Sequence, residues 1–189
     1  MRIGTRICRL YWWIVAPTRG VAAIEFAMIM PVLVILFLAS FDAARAMAIY
    51  MKVRAATYSL AAITNQYQTI ASSDITSIVG ATSAILAPYS QAPAVVTISQ
   101  IAISWRGQAT VAWSYSQGGT ALVRGSSVTL PSTLNTNSSY LIFAQVSYRF
   151  SPIFGLFAAG AINLSDNLYM TPRSSACVAY TPQTGTSCS

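Results

Sequence analysis

Few residues of this chain could do chemistry, and their types and spacing exclude most reactions. Acidic side chains occur only at Glu25, Asp42, Asp74 and Asp166, histidine is absent, and the cysteines are Cys8, Cys177 and Cys188. Without an imidazole there is no His-based triad. A tetrahedral zinc site needs His, or more thiolates than three dispersed cysteines supply. A two-carboxylate site would have to draw on Asp74 and Asp166, far apart in sequence. Arg124, Arg149 and Asp166 could compose a polar site, but scattered surface charge accounts for them more simply. The inventory points away from an enzyme and implies neither cofactor nor metal. Two features carry chemistry of another kind. Cys177 and Cys188 lie close together and can close a small disulfide loop if this part of the chain meets an oxidising compartment, two free thiols being the alternative. Glu25 lies five residues into an apolar run, where a carboxylate costs up to about 3 kcal/mol at a bilayer centre and less nearer the interface.

The elements that must position these residues begin with a basic leader, residues 1–20, which holds Arg2, Arg6, Arg9 and Arg19 and no acid. Then comes VAAIEFAMIMPVLVILFLASF, with one charge. At about 1.5 Å per residue it reaches about 32 Å, against a hydrocarbon core of about 30 Å. A transmembrane helix is expected over 21–42, with Trp12 and Trp13 at the headgroup level and a kink at Pro31, whose ring removes one backbone hydrogen bond. Arg45, Lys52 and Arg54 follow the span, so the four leader arginines bias the N-terminus only slightly towards the cytoplasm. The formal net charge is +7, but no run of like charges occurs, and nucleic acid is not an expected partner.

Residues 43–92 read as a helical stalk and a second helix. Ala46, Ile49, Tyr50, Val53, Ala56, Leu60, Ile63 and Tyr67 recur at helical spacing, and Arg45, Lys52, Ser59 and Gln66 mark a wet face, in a helix expected to run past residue 68. Ser72 or Ser73 offers an N-cap for the second helix, Asp74 suits its first turn, Ile75, Ile78, Val79, Thr82 and Leu86 form its stripe, and Pro88 ends it. From 93 the period becomes two, and 93–189 is expected to be an extracytoplasmic β-rich domain. A hairpin turns at RGQA with a bulge near Ser99, residues 121–139 form a long polar loop, and Tyr140 to Phe150 alternate as the strongest strand. SPIFGLFAAG suits a short helix or buried loop, and NLSDNLYMTPR an edge strand. The fold class expected is α+β: one N-terminal transmembrane helix continuing into a long amphipathic helix, then a small extracytoplasmic domain with an antiparallel sheet.

Three readings of Glu25 are open. It could snorkel at the interface or be protonated. The run could be a secretory signal peptide cut near Ala44 and Ala46, although the helical pattern runs through that point. Or the chain could be cut after Gly20, so that Val21 carries a new amine and Glu25, fifth residue of the mature chain, supplies its partner charge.

RGVAAIEFAMIMPVLVILFLASFDAAR resembles the N-terminal signature of the TadE-like pseudopilins of bacterial Tad/Flp pilus systems, which share the type IV pilin-like N-terminus. The matching residues are Gly20, Ala23, Glu25, Phe26, Ala27 and Pro31, with Ala43, Ala44 and Arg45 at the exit, within residues 19–60. The leader's LYWWIVAP departs from the pattern in being so apolar and aromatic. The resemblance implies a minor pilin-like protein of the bacterial inner membrane, processed by a prepilin peptidase between Gly20 and Val21. It implies action in pilus assembly or initiation, or in a related export apparatus, through contacts with other pilin-like subunits and Tad/Flp assembly proteins. Glu25 would neutralise the amine and set axial register. The alternative function is a membrane-anchored binding or adhesion domain outside any pilus.

Overall fold

A computed structural model of the chain describes residues 18–155 and 160–181. Helix α1 (Thr18–Thr64) is followed by β1 (Thr69–Ile70), α2 (Ser72–Ala84), β2 (Ala94–Ile103), β3 (Ala109–Gln117), a 3-10 turn at Ser132–Leu134, β4 (Ser139–Phe150), β5 (Ile162–Met170) and β6 (Ala179–Tyr180). The fold is α+β. An antiparallel sheet of order β3-β2-β4-β5 lies against the second half of α1, and β1 and β6 form a short parallel pair beside it.

Helix α1 is unbroken through Pro31 and is long and apolar enough to cross a membrane. It stops at Thr64, short of the expected end. There Asn65 turns the chain aside: its carbonyl accepts the Arg173 N–H at 3.0 Å, which commits the next residues to β1 rather than to another helical turn. To the main core α1 contributes Ile49, Val53, Ala56, Leu60 and Ala61, while Ile63, expected on the same stripe, is exposed. Helix α2 begins one residue earlier than expected, after Ala71, because the Asp74 carboxylate accepts the Ala71 N–H at 2.9 Å. Its stripe is buried from Ile75 to Leu86. That burial gives the short helix a tertiary support which its length alone does not supply.

The sheet has two packed faces. Val96, Ile98, Ile142, Ala144, Val146, Tyr148 and Phe150 meet the helices in the main core. Between Gln100 and Ile101 the register against β3 shifts, so that Gln100 opposes Trp113 and Ile101 opposes Val111. The shift falls beside the position expected near Ser99, but its extra residue, Ala112, is on β3, and β2 keeps its register against β4. It turns Val111 and Ala109 to the other face, which Ile101 and Ile103 already occupy by alternation along β2, and there Ala109 joins them and Leu141 in a second small core. Residues 121–139 are a long loop, as expected, but not a purely polar one. Val128, Leu130 and Leu134 pack over that second core. Strand β5 is the edge strand anticipated before Pro172. In the register of β4 and β5, Arg149 opposes Asn163 and Asp166 opposes Val146. Arg149 and Asp166 therefore lie on opposite faces of the sheet and compose no common site.

Candidate functional site

The sequence-derived residues fall on two parts of the molecule, the bare end of α1 and the point where α1 meets the head. From Gly20 to Phe37 every residue of α1 is exposed, and this stretch rises about 27 Å. Gly20 and Val21 lie in the first turns of the helix, and a Cβ at Gly20 would meet nothing within 4 Å. Glu25 is exposed one turn further on and makes no hydrogen bond or ion pair among the described residues. Pro31 is also exposed, and without its N–H the carbonyl four residues earlier, at Ala27, lacks a helical donor. Gly20, Val21, Glu25 and Pro31 thus share one bare rod.

Burial begins at Ala39 and becomes continuous with the head through Asp42. The Asp42 carboxylate accepts two backbone N–H groups, from Ile153 at 3.1 Å and Phe154 at 3.0 Å. Phe41 meets Phe154 edge to face, with ring centroids 6.2 Å apart. A cleft of about 210 Å³ lies between Asp42, Ala43 and Ala46 of the helix and Phe150, Pro152 and Ile162 of the head. Arg45, one turn on, holds its guanidinium 5.9 Å from the centre of the Phe150 ring. Burial pushes the Tyr148 phenol pKa up, and the Arg45 cation pulls it the other way. The residues 151–155 form neither a helix nor a buried loop. Ile153 is 61% exposed and Phe154 43%, with only their backbone pinned by Asp42.

The stalk corrects the expected wet face. Arg45, Lys52 and Ser59 are half-buried on its flank, and the Lys52 Nζ donates to the Ala87 carbonyl at 2.6 Å and the Ile85 carbonyl at 3.3 Å. This cation sits where the orphan carbonyls at the end of α2 need a donor. The face opposite the core instead carries Ala44, Met47, Met51, Ala55 and Tyr58, all exposed. Spacings of three and four residues align them on one side of the helix, in line with Leu33 and Phe37 of the bare half. Met47, Met51 and Tyr58 are each more than half exposed. The repeating methionines were the sequence signal for this face. The polar side chains Arg45, Lys52 and Ser59 concealed it by marking a different side.

Residues 20–61 match the family model of TadE-like proteins. This bears out the resemblance read from RGVAAIEFAMIMP. The TadE-like segment begins at Gly20 and covers almost all of α1, the bare half and the stalk together, and it stops before the sheet. No curated protein and no solved structure matches the chain.

The last candidate pair lies beyond that segment. Cys177 is buried and disulfide-bonded, and Cys188 lies outside the described residues. The neighbour of Cys177, Val178, is held by a buried network that composition did not reveal. The Gln100 Oε1 accepts the Trp113 Nε1–H at 2.9 Å and the Val178 N–H at 3.0 Å, and the Trp113 Nε1–H also reaches the Val178 carbonyl at 2.8 Å. A polar residue at an inward strand position, facing a tryptophan, is the only sign of it in the sequence. Asp42, Asp74 and Asp166 lie apart on the helix exit, the α2 start and the edge strand, and among the described residues no cluster of metal-ligating side chains occurs.

Proposed function

We propose that this chain is a minor pilin-like subunit acting in the assembly or initiation of a Tad/Flp-type pilus. Helix α1 crosses the bacterial inner membrane once, with the leader in the cytoplasm and the head outside. The chain is cut between Gly20 and Val21 by a prepilin peptidase. Glu25 then neutralises the new amine of its own or a neighbouring chain and fixes the axial register, as one buried polar residue does in a coiled coil. Pro31 bends the packed helix locally, and a Cys177–Cys188 bridge ties down the C-terminal segment. The partners are the membrane, other pilin-like helices and the Tad/Flp assembly proteins.

The observation that carries this reading is the apolar face of Met47, Met51 and Tyr58, which continues beyond the span. Lipid can cover Leu33 and Phe37, but not side chains that stand outside the bilayer beside the head. A face of this kind is supported by burial against another helix. The test is Met47→Glu with Met51→Glu. Pilus formation is expected to be lost while the melting temperature of the head stays at its wild-type value. Wild-type pili from the double variant would make the packing role wrong. Processing is checked by intact mass on chain recovered from native membranes, expected to begin at Val21.

A second reading, a tethered binding domain, draws on Trp105, which is 68% exposed at the β2–β3 turn with the Arg106 guanidinium 4.5 Å from its ring centre. It predicts that the methionine pair can be replaced without effect and that loss of function follows Trp105→Ala instead.

A further inference from the structure

We propose that the far end of the head carries a saccharide-binding cleft, built on Trp105 and selective for sugars that bear a carboxylate. It gives a ligand class to the exposed tryptophan from which the tethered-domain reading draws, and it requires only the folded head, whichever way α1 packs.

The sheet builds the cleft. Ala102 lies two residues beyond Gln100 on β2 and so continues the helix-facing side of the sheet. Thr110 on β3 and Tyr140 on β4 stand opposite it, one on either hand. The extra residue Ala112 is what brings Thr110 to this side, since in an unbulged strand Val111 would oppose Ala102. Gln100 and Ile142 are buried, but Ala102, Thr110 and Tyr140 are only half-buried. With Ser104, Trp105 and Ser138 they line a cleft of about 340 Å³, within the range of about 300–1,000 Å³ that ligand sites occupy. Among the described residues the Thr110, Ser138 and Tyr140 hydroxyls make no hydrogen bond. Each can donate to a sugar hydroxyl and accept from one.

Trp105 supplies the platform. A single exposed tryptophan indicates little by itself, but the setting of this one is fixed. In its turn the Ser104 N–H donates to the Gln108 carbonyl and the Gly107 N–H to the Ser104 carbonyl, both at 2.9 Å. From the long loop the Asn135 Nδ2–H donates to the Gly107 carbonyl at 3.0 Å. The indole lines the cleft, and the Arg106 guanidinium stands over it, 4.5 Å from the ring centre. A ring held in place and left open suits the C–H face of a pyranose, whose hydrogens meet the negative face of the indole. A platform already ordered loses little freedom on binding.

Charge selects the kind of sugar. No acidic residue occurs between Asp74 and Asp166, an interval that holds β2, β3, the long loop and β4 together with Arg106, Arg124 and Arg149. No carboxylate lines the cleft, and Arg106 makes no ion pair among the described residues. Its planar guanidinium beside the cleft offers a ligand carboxylate two parallel donors. The cleft is also remote from the point where α1 meets the head. Strand β4 runs about 30 Å from Tyr140 to Phe150, and Phe150 is the ring beside Arg45 of α1. The far end is thus open to a polymer in the surrounding medium.

The test titrates the full chain in phosphatidylcholine nanodiscs, which hold no sugar, by calorimetry at about 0.15 M salt. The probes are a galacturonic acid tetrasaccharide, the galactose tetrasaccharide that lacks its carboxylates, and tetra-aspartate. Saturable binding of the uronate is expected, about tenfold tighter than that of the neutral sugar, with no binding of the peptide. Trp105→Ala and Arg106→Gln are each expected to weaken uronate binding about tenfold while thermal unfolding of the head stays at its wild-type value. Arg106→Gln should leave binding of the neutral sugar unchanged. Absence of uronate binding, or binding unmoved by Trp105→Ala, overturns the cleft. Equal binding of the neutral sugar overturns the acidic class, and equal binding of tetra-aspartate makes the site a general anion contact and overturns the saccharide. Loss of cellular function in Trp105→Ala without uronate binding by the wild type would overturn this ligand class and keep the tethered-domain reading.

Discussion

The two halves of α1 are one continuous helix with opposite relations to the rest of the chain. From Gly20 to Phe37 all sides are exposed, whereas from Ala39 to Thr64 one side is buried beneath β4, β5 and α2. Composition separates them in part: Glu25 is the one charge of the bare half, whereas the covered half carries Asp42, Arg45, Lys52 and Arg54. Periodicity completes the difference. The bare half is apolar on every side, the pattern of a helix that needs apolar surroundings all round. The covered half has an inward stripe, Ile49, Val53, Ala56 and Leu60, and an outward one, Ala44, Met47, Met51, Ala55 and Tyr58. Only the inward stripe is satisfied by the head. The first half is built for its environment, and the second is divided between the protein's own core and an open face that the proposed function assigns to a partner.

Substitutions at matched positions in the two halves sharpen this contrast. The largest effect is expected for Leu60→Ala, which leaves a cavity in the main core and should cost the head about 2–5 kcal/mol in denaturant unfolding. Leu33→Ala removes the same atoms from the bare half and should leave unfolding of the head within about 0.5 kcal/mol of wild type. Equal effects at the two sites would erase the division. Next comes Gln100→Ala, which strips the Val178 N–H of its acceptor and the Trp113 Nε1–H of one of two; a loss of about 1–3 kcal/mol is expected. Asp42→Ala unpins the loop at the junction of the halves. Faster amide exchange at Ile153 and Phe154 is expected, with a smaller global loss of about 1–2 kcal/mol. Among the head's polar contacts the smallest change is expected for Lys52→Met, about 0.3–1 kcal/mol, because the carbonyls it serves after α2 can turn to water.

Local rules made some of this legible in the sequence. The period of two from Tyr140 to Phe150 announced β4, and the stripe from Ile75 to Leu86, closed by Pro88, announced α2. The apolar run announced a helix able to cross a membrane, and its Glu, Phe and Pro announced the TadE-like segment. Long-range pairing was not legible. Asp42 reads as the polar end of a span, yet its partners are 111 and 112 residues away. Lys52 reads as a surface charge until α2 brings its carbonyls within reach. Gln100 reads as a strand polar residue until β3 and the Val178 segment meet over it. For Glu25 the limit is of another kind. A carboxylate exposed on a lone helix acquires its meaning from a second charge, and the cut after Gly20 that would create that charge is read by mass, not by folding rules.

The division of α1 is tested most directly by photo-crosslinking at Met51. The full chain, carrying a benzophenone amino acid at this position, is expressed in cells with the pilus machinery intact and irradiated. The account predicts a covalent adduct to a second pilin-like helix, identified by mass spectrometry of the linked peptide, and no such adduct from the same probe at Val123. Adducts to lipid alone, or none at Met51, would contradict the claim that this face of the stalk is held by another subunit.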